Sequence, residues 1–274
     1  MQIAYFFYIF QKKSLNDFIM KKIYKSLLSE KKRNKIRNFT QRLIFPIFLG
    51  NKLYCNCCGK SFRKFLPKGN IKRLNAKCPY CFSLERMRVL DLYLENELNI
   101  YQKQNIKILH FAPEETLFVK LSSIKNIEYI DGDINPAYAR YIVDITKINF
   151  PDNYFDYILC SHVLGHIPDE AKAIKEIYRV LKKNGLAILM TLIDLESKNT
   201  FEDKKIISSK DKLKYYGEFD LCRLHGLDFM DRIKKHNFKV EVIDYRKSFS
   251  EEIQSKFSLG DGKREIIYKC EKFP

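Results

Sequence analysis

The sequence predicts an α/β protein built on a mostly parallel sheet with helices on both faces. Two observations carry this. From residue 106 onward, short apolar strands alternate with amphipathic helices, and such alternation requires crossovers that bring successive strands back in parallel. The chain also has 274 residues, of which 46% are hydrophobic and 14% aromatic. That suffices for a large core and excludes a disordered or collagen-like chain. No run of about 18 apolar residues occurs, so no ordinary membrane-spanning helix is encoded.

The first ten residues, MQIAYFFYIF, are an aromatic run without the basic flank or small-residue cleavage site of a secretion signal. Met20 follows and resembles a start, so residues 1–19 read either as an over-extended start or as a tail. Residues 20–38 read as a basic helix. Residues 39–49 (FTQRLIFPIFL) mix aromatic and aliphatic side chains, and Pro46 breaks any helix there. Residues 83–98 have apolar positions at helical spacing, with Ser83 as N-cap. Strands are expected over 106–111, 127–130, 154–160, 186–193, 239–245 and 265–270, and helices over 114–124, 169–181 and 227–236. Asn184-Gly185 reads as a helix stop. Parallel sheets bind ligands beyond the carboxyl ends of their strands. The site is therefore expected in the loops after Phe111, Ile130, Val143 and Cys160.

The formal charge is +17. Residues 1–75 hold 18 of the 50 basic residues and only two acids, Asp17 and Glu30, a net +16 that leaves +1 for residues 76–274. A basic segment attracts polyanions, either RNA or an anionic membrane surface. A solvated, lysine-rich helix is the plainer reading.

Four of the eight cysteines form Cys55-x2-Cys58 and Cys78-x2-Cys81, with 19 residues between the pairs. Two such pairs supply four thiolates for one tetrahedral zinc with no open position, a structural site. Disulfides are the rival reading, but no secretion signal supports an oxidising compartment. Cys57 could replace a neighbour as ligand, while Cys160, Cys222 and Cys270 read as small core residues.

At 106–117 a strand enters a tight turn and a helix, and about 20 residues on a second strand ends in Asp133. An acid there suits a ribose diol, because one carboxylate accepts hydrogen bonds from both hydroxyls. Then come Phe-Pro-Asp-Asn-x-Phe-Asp-x-Ile-x-x-x-His-Val-Leu over 150–164 and Arg-Val-Leu-Lys-x-x-Gly over 179–185. This order resembles the class I S-adenosylmethionine-dependent methyltransferases. It is similar in particular to a bacterial subgroup with a four-cysteine zinc knuckle, in which Cys-Pro-x-Cys-x-Ser-x-Glu-Arg (here 78–86) precedes His-x-Ala-Pro-Glu (here 110–114). The resemblance covers residues 52–245. It implies a Rossmann-like sheet of seven strands with an antiparallel last strand, S-adenosylmethionine as cofactor and structural zinc. It divides the chain into an N-terminal arm (1–50), a zinc ribbon (51–82) and a methyltransferase domain (83–274).

Carried over by motif, Ala112 and Glu114 take the place of the usual glycine-rich turn, beside His110. Asp133 would hold the ribose, Asp144 and Ile145 would flank the adenine, and Ser161 and His162 would line the methyl-transfer cleft. Asp133 could equally cap a loop. His162 is the general-base candidate, and Asp220 the second catalytic candidate. Asp220 and Arg223 are expected to face substrate, a surface ion pair being the alternative. Two positions depart from the family pattern: Gly165 replaces a usual Glu, and Leu221 a usual His. The resemblance implies a small-molecule or glycan acceptor, in surface polysaccharide synthesis, and a cytoplasmic or membrane-peripheral protein. Two other functions stay open. One is an RNA methyltransferase gripping phosphates with Arg63, Lys64, Lys68, Lys72 and Arg73. The other is a catalytically degraded docking protein.

Overall fold

The computed structural model describes residues 43–273 continuously and, before them, Lys32, Ile36, Phe39 and Thr40, all four of them helical. Most of the expected basic helix, and the reading of residues 1–19, lie outside the described residues. The chain divides into two units, residues 1–45 and 46–274.

A 3-10 turn over Phe45–Phe48 leads into the two small hairpins of the second unit. Strands β1 (Leu49–Cys55) and β2 (Lys60–Phe62) pair antiparallel, as do β3 (Leu66–Lys68) and β4 (Arg73–Lys77). Helix α1 (Glu85–Asn96) follows. The remaining elements are β5 (Lys107–Phe111), α2 (Glu115–Ser122), β6 (Glu128–Asp133), β7 (Tyr141–Ile142), β8 (Phe155–Ser161), α3 (Glu170–Val180) and β9 (Leu181–Met190). After them come α4 (Ser209–Tyr216), α5 (Phe229–Lys234), β10 (Phe238–Ile243), α6 (Glu251–Phe257) and β11 (Ile267–Lys272).

Seven strands form one sheet in the order β10-β11-β9-β8-β5-β6-β7. β11 runs antiparallel to both neighbours and the other pairs are parallel. This is the Rossmann-like, mostly parallel sheet that the sequence predicted. Side chains alternate between two cores, as a pleated strand requires. Leu109, Ile158, Ala187 and Leu189 pack with α3 and α5 on one face. Ile108, Leu159, Ile188 and Met190 pack with α1 and α2 on the other.

Two local expectations are corrected. Asn184-Gly185 does not separate helix from strand: β9 begins at Leu181, directly after α3. Leu181 pairs with Phe155 and Leu186 with Tyr157, so residues 182–185 bulge out, with Asn184 left-handed at φ 59°. Buried Leu181 anchors the strand before the bulge. Ser83 does not cap α1: Leu84 holds that position, and Ser83 Oγ lies 3.2 and 3.3 Å from the Cys55 and Cys81 sulfurs. The helix expected over 227–236 is confined to Phe229–Lys234.

One side chain ties the cysteine segment to the sheet. Arg88, fully buried on α1, donates from Nε to Phe257 O at 2.8 Å and from Nη1 to Ser83 O at 2.9 Å. Its Nη2 donates to Ala76 O at 3.1 Å and Ser258 O at 2.7 Å. The guanidinium also stacks 4.8 Å from the Phe65 ring. Only a planar fork can reach four divergent carbonyls. Arg88→Met should lower unfolding free energy by about 3 kcal/mol, because buried carbonyls lose their donors. Arg88→Lys should recover less than half. Urea midpoints followed by circular dichroism measure both, and a loss under about 1 kcal/mol would contradict this account.

Candidate functional site

The loops at the carboxyl ends of β5, β6, β7 and β8 converge, and they carry the residues that the sequence pointed to. After β5, Ala112 takes a left-handed conformation (φ 46°) and donates its N–H to Gly132 O at 2.8 Å. This turns the chain into α2 without a glycine. His110 is fully buried, with Nδ1 2.9 Å from Tyr129 OH and Nε2 3.2 Å from Glu114 Oε2. Burial pushes the Glu114 carboxyl up, but the His110 hydrogen bond and the charges of His110 and Arg86 outweigh it, and the group lies below its ordinary range.

Three buried polar atoms here have no hydrogen-bond partner among the described residues: Arg86 Nε, Glu114 Oε1 and Ser161 Oγ. The first two are 3.7 Å apart. Leaving such atoms unsatisfied costs about 1–3 kcal/mol each, so they mark a place where a ligand would complete the bonding. A cation, a carboxylate and a hydroxyl match the zwitterionic amino-acid end of S-adenosylmethionine, so the donor set fits that cofactor. Arg86 has no role in the sequence reading beyond its place in the Cys-Pro motif. Its distance from Glu114 in the chain gives no signal of the contact.

Asp133, at the end of β6, accepts the Asn135 N–H at 2.7 Å, and Asp144 accepts from Thr146 N and Oγ1, both at 2.8 Å. Both acids thus shape their own turns while remaining at the strand ends. Ile145 is buried in the core. Beyond β8, His162 is left-handed (φ 57°) and its Nε2 lies 2.9 Å from Arg264 O. Burial, then the nearby Arg86 charge, pushes His162 well below its ordinary value.

A cleft of about 280 Å³ adjoins this edge, lined by Arg86, His162, Gly165, Thr191, Asp220 and Arg264 among others. Asp220 is exposed at its rim, 3.3 Å from His166 Nδ1. Arg223 does not face substrate. It is 1% exposed and grips Glu202 and the carbonyls of Leu164, Ile167 and Pro168. The two departures from the family pattern meet: a Cβ on Gly165 would lie 2.8 Å from Leu221 Cδ2. Leu221 therefore occupies the room that a larger residue 165 would need.

Behind the cleft lies a buried chain that the sequence did not disclose. Thr191 Oγ1 is 2.9 Å from His225 Nδ1, His225 Nε2 meets Glu170 Oε1, and Arg232 Nε donates to Glu170 Oε2 at 2.7 Å. Burial lowers His225 despite the carboxylate. The bonded pairs are 34 to 62 positions apart, so no spacing motif exposes them.

The second cluster is the four cysteines. Each pair closes a tight turn: Gly59 N and Phe82 N donate to the carbonyls of Cys55 and Cys78 at 2.8 and 3.2 Å, and Gly59 and Phe82 are both left-handed. The four sulfurs lie within 4.8 Å of one another, with Cys55–Cys81 at 3.6 Å and Cys58–Cys78 at 3.9 Å. A tetrahedral centre with metal–sulfur bonds of about 2.3 Å has edges of about 3.8 Å, so the cluster fits one. Cys57 turns away, its Sγ 3.8 Å from Met87 O, and is not part of the group. Thr116 in α2 donates to Cys81 O at 3.0 Å, joining this cluster to the helix behind Glu114.

One more carboxyl, Glu265, sits buried before β11, where burial pushes it up to about 7 against hydrogen bonds from Gly262 N and Arg264 N. A raised folded value means that the folded state holds the proton more tightly. The stability it brings is complete below the ordinary carboxyl range and is lost as pH rises through about 7. Glu265→Gln keeps the neutral form at every pH. Its stability relative to wild type should therefore climb by about 3 kcal/mol from pH 4 to pH 8, read from urea midpoints across that range. A pH-independent difference would show that Glu265 is not raised.

Residues 124–189 match the family model described as a methyltransferase domain. The chain is 32% identical over 71 residues to a demethylmenaquinone methyltransferase of Staphylococcus epidermidis, a match covering 26% of this chain and 25% of that protein. It is 30% identical over 121 residues to the demethylmenaquinone methyltransferase of a Geobacillus species, covering 42% and 47%. The matches thus span a quarter to about half the length of these relatives. Among solved structures it is similar to a phosphoethanolamine N-methyltransferase 2 of Haemonchus contortus, with 16% identity, TM-score 0.44 and 68% and 52% of the two chains covered. The matched stretch 124–189 runs through β6, β7, β8 and α3 and ends inside β9, so it spans three of the four strands that carry the candidate site.

Proposed function

We propose that this protein is an S-adenosylmethionine-dependent methyltransferase acting on a small-molecule or glycan acceptor, in surface polysaccharide synthesis, with one structural zinc on Cys55, Cys58, Cys78 and Cys81. The observation that carries the reading is the unsatisfied trio of Arg86, Glu114 and Ser161 at the ends of α1, β5 and β8. The methyltransferase-domain match over 124–189 supports it independently.

The cofactor, when bound, would supply a methyl group on a sulfonium sulfur, which would leave as the neutral thioether of S-adenosylhomocysteine when the acceptor takes the methyl carbon. In this reading Arg86 pairs with the cofactor carboxylate and Glu114 with its ammonium, while Asp133 accepts from the ribose hydroxyls. Asp144 and the backbone at Ile145 border the adenine, and Ala112 lets the backbone approach closely. His162 takes the acceptor's proton. Its burial keeps it neutral at pH 7, and the Arg264 carbonyl holds the proton on Nε2, so the lone pair is on Nδ1. Asp220 orients the acceptor at the rim. The 1–50, 51–82 and 83–274 segments then serve as docking arm, zinc ribbon and catalytic domain, with the basic residues before 76 meeting an anionic membrane or RNA.

Calorimetry with S-adenosylhomocysteine tests the cofactor site. The full chain should bind it, and Arg86→Ala and Asp133→Ala should each weaken binding at least about tenfold, the loss of one charge-assisted contact. Absence of binding by the wild type would refute the reading. Metal analysis should return one zinc per chain, falling below half in Cys58→Ser; a metal-free protein as purified would remove zinc from the account.

A further inference from the structure

The rim of the cleft carries side chains that chemistry inside it does not employ. The tip of the β3–β4 hairpin reaches the end of α4, where Asn70 Nδ2 donates to Glu218 Oε2 at 2.7 Å and to Gly217 O at 3.3 Å. Glu218 in turn lines the cleft and accepts from Arg264 at 3.2 Å, so this contact is part of the opening. Within four residues of it, large apolar side chains stand in water. Ile71 is 80% exposed and Leu74 81% on the hairpin, and Tyr215 is 46% and Phe219 49% exposed beside Gly217. Arg73 turns inward onto Glu85, and strand alternation then sends Leu74 outward.

Cations stand among these apolar groups. Lys72 and Lys214 are exposed between them, and the hairpin segment 66–77 holds Lys68, Lys72, Arg73 and Lys77 with no acid. Asp211 on α4 is engaged by Ser208, and Glu218 by Asn70 and Arg264. Apolar and aromatic side chains interleaved with exposed lysines at this hairpin tip suit a bilayer interface, and Lys214 itself lies 4.8 Å over the Tyr215 ring. The apolar groups enter the headgroup–acyl boundary and the ammonium groups meet lipid phosphates. A net charge of +17 draws the whole chain toward the same surface.

We propose that this rim is a docking face for an anionic lipid bilayer, with Ile71, Leu74, Tyr215 and Phe219 inserted and Lys72 and Lys214 on the headgroups. This deepens the proposed function by choosing the bilayer among the anionic partners and placing it at the cleft mouth. The acceptor is then one presented at the bilayer surface, a consequence that rests on the cleft being the acceptor site.

Co-sedimentation of the full chain with phosphatidylglycerol–phosphatidylcholine vesicles tests it, with pure phosphatidylcholine as reference. Wild type should partition onto the anionic vesicles. Ile71→Asp with Leu74→Asp should lower the partition coefficient at least tenfold, and Phe219→Ser on the α4 side should lower it severalfold. All variants should keep the wild-type circular dichroism and S-adenosylhomocysteine affinity. No partition by the wild type, or equal partition by the hairpin variant, overturns the proposal, the second outcome assigning binding to the basic N-terminal residues. Retention on poly(A) RNA that falls in the variants while vesicle binding does not also overturns it. Loss of S-adenosylhomocysteine binding in the wild type, with vesicle binding intact, would instead sink the cofactor reading and leave the docking face standing.

Discussion

The burial of the Arg88 guanidinium is the constraint on which the rest of the second unit depends. A charge removed from water must be met by dipoles, and here four carbonyls meet it from β4, the turn before α1 and the end of α6. Those segments are thereby held at fixed distances around α1. The same helix carries Arg86 two residues earlier, so the position of a candidate cofactor-binding group follows from a purely structural one. Asp91, one turn further along, receives Asn56, Tyr101 and Lys120 and fixes the other side of α1. Helix α1 therefore joins the four-cysteine turns to the sheet edge.

At that edge the protein controls protonation by burial. His162 and His225 are both lowered chiefly by desolvation, which keeps each neutral near pH 7. Glu170 behaves in the opposite sense. Its burial penalty is overcome by His225, Arg232 and Arg223, and it stays ionised. The cleft is thus backed by a carboxylate that does not itself reach the opening. Leu221 closes the space above Gly165, so the two positions form one apolar plug rather than two separate losses.

The regular part of the fold was legible because buried parallel strands leave strong signals. The strand expected over 106–111 is Lys107–Phe111, and the helix expected over 169–181 is Glu170–Val180. The failures have physical causes. Asn184-Gly185 has the chemistry of a helix stop, and that chemistry serves equally well in a bulge. Helix α6 went unread because none of its residues is buried and its apolar spacing is weak. Of the site, the strand-end residues were legible from motif order. Arg86, Arg264 and the Thr191–His225–Glu170 chain were not, because what unites them is distance in space. Arg223 misled for the reverse reason: a charged residue in a loop normally faces water, and this one replaces water with three carbonyls and Glu202.

Arg88 also sets an order of assembly. Two of its four carbonyl partners lie 169 and 170 residues further along the chain. During synthesis the cysteine turns and α1 emerge long before those partners exist. The guanidinium must wait in water until residues 257 and 258 have left the ribosome. Contacts of such long sequence separation close late and slow the final folding step. The N-terminal portion of the unit can gather its local turns early, yet its lock is supplied by the distant segment at residues 257–258.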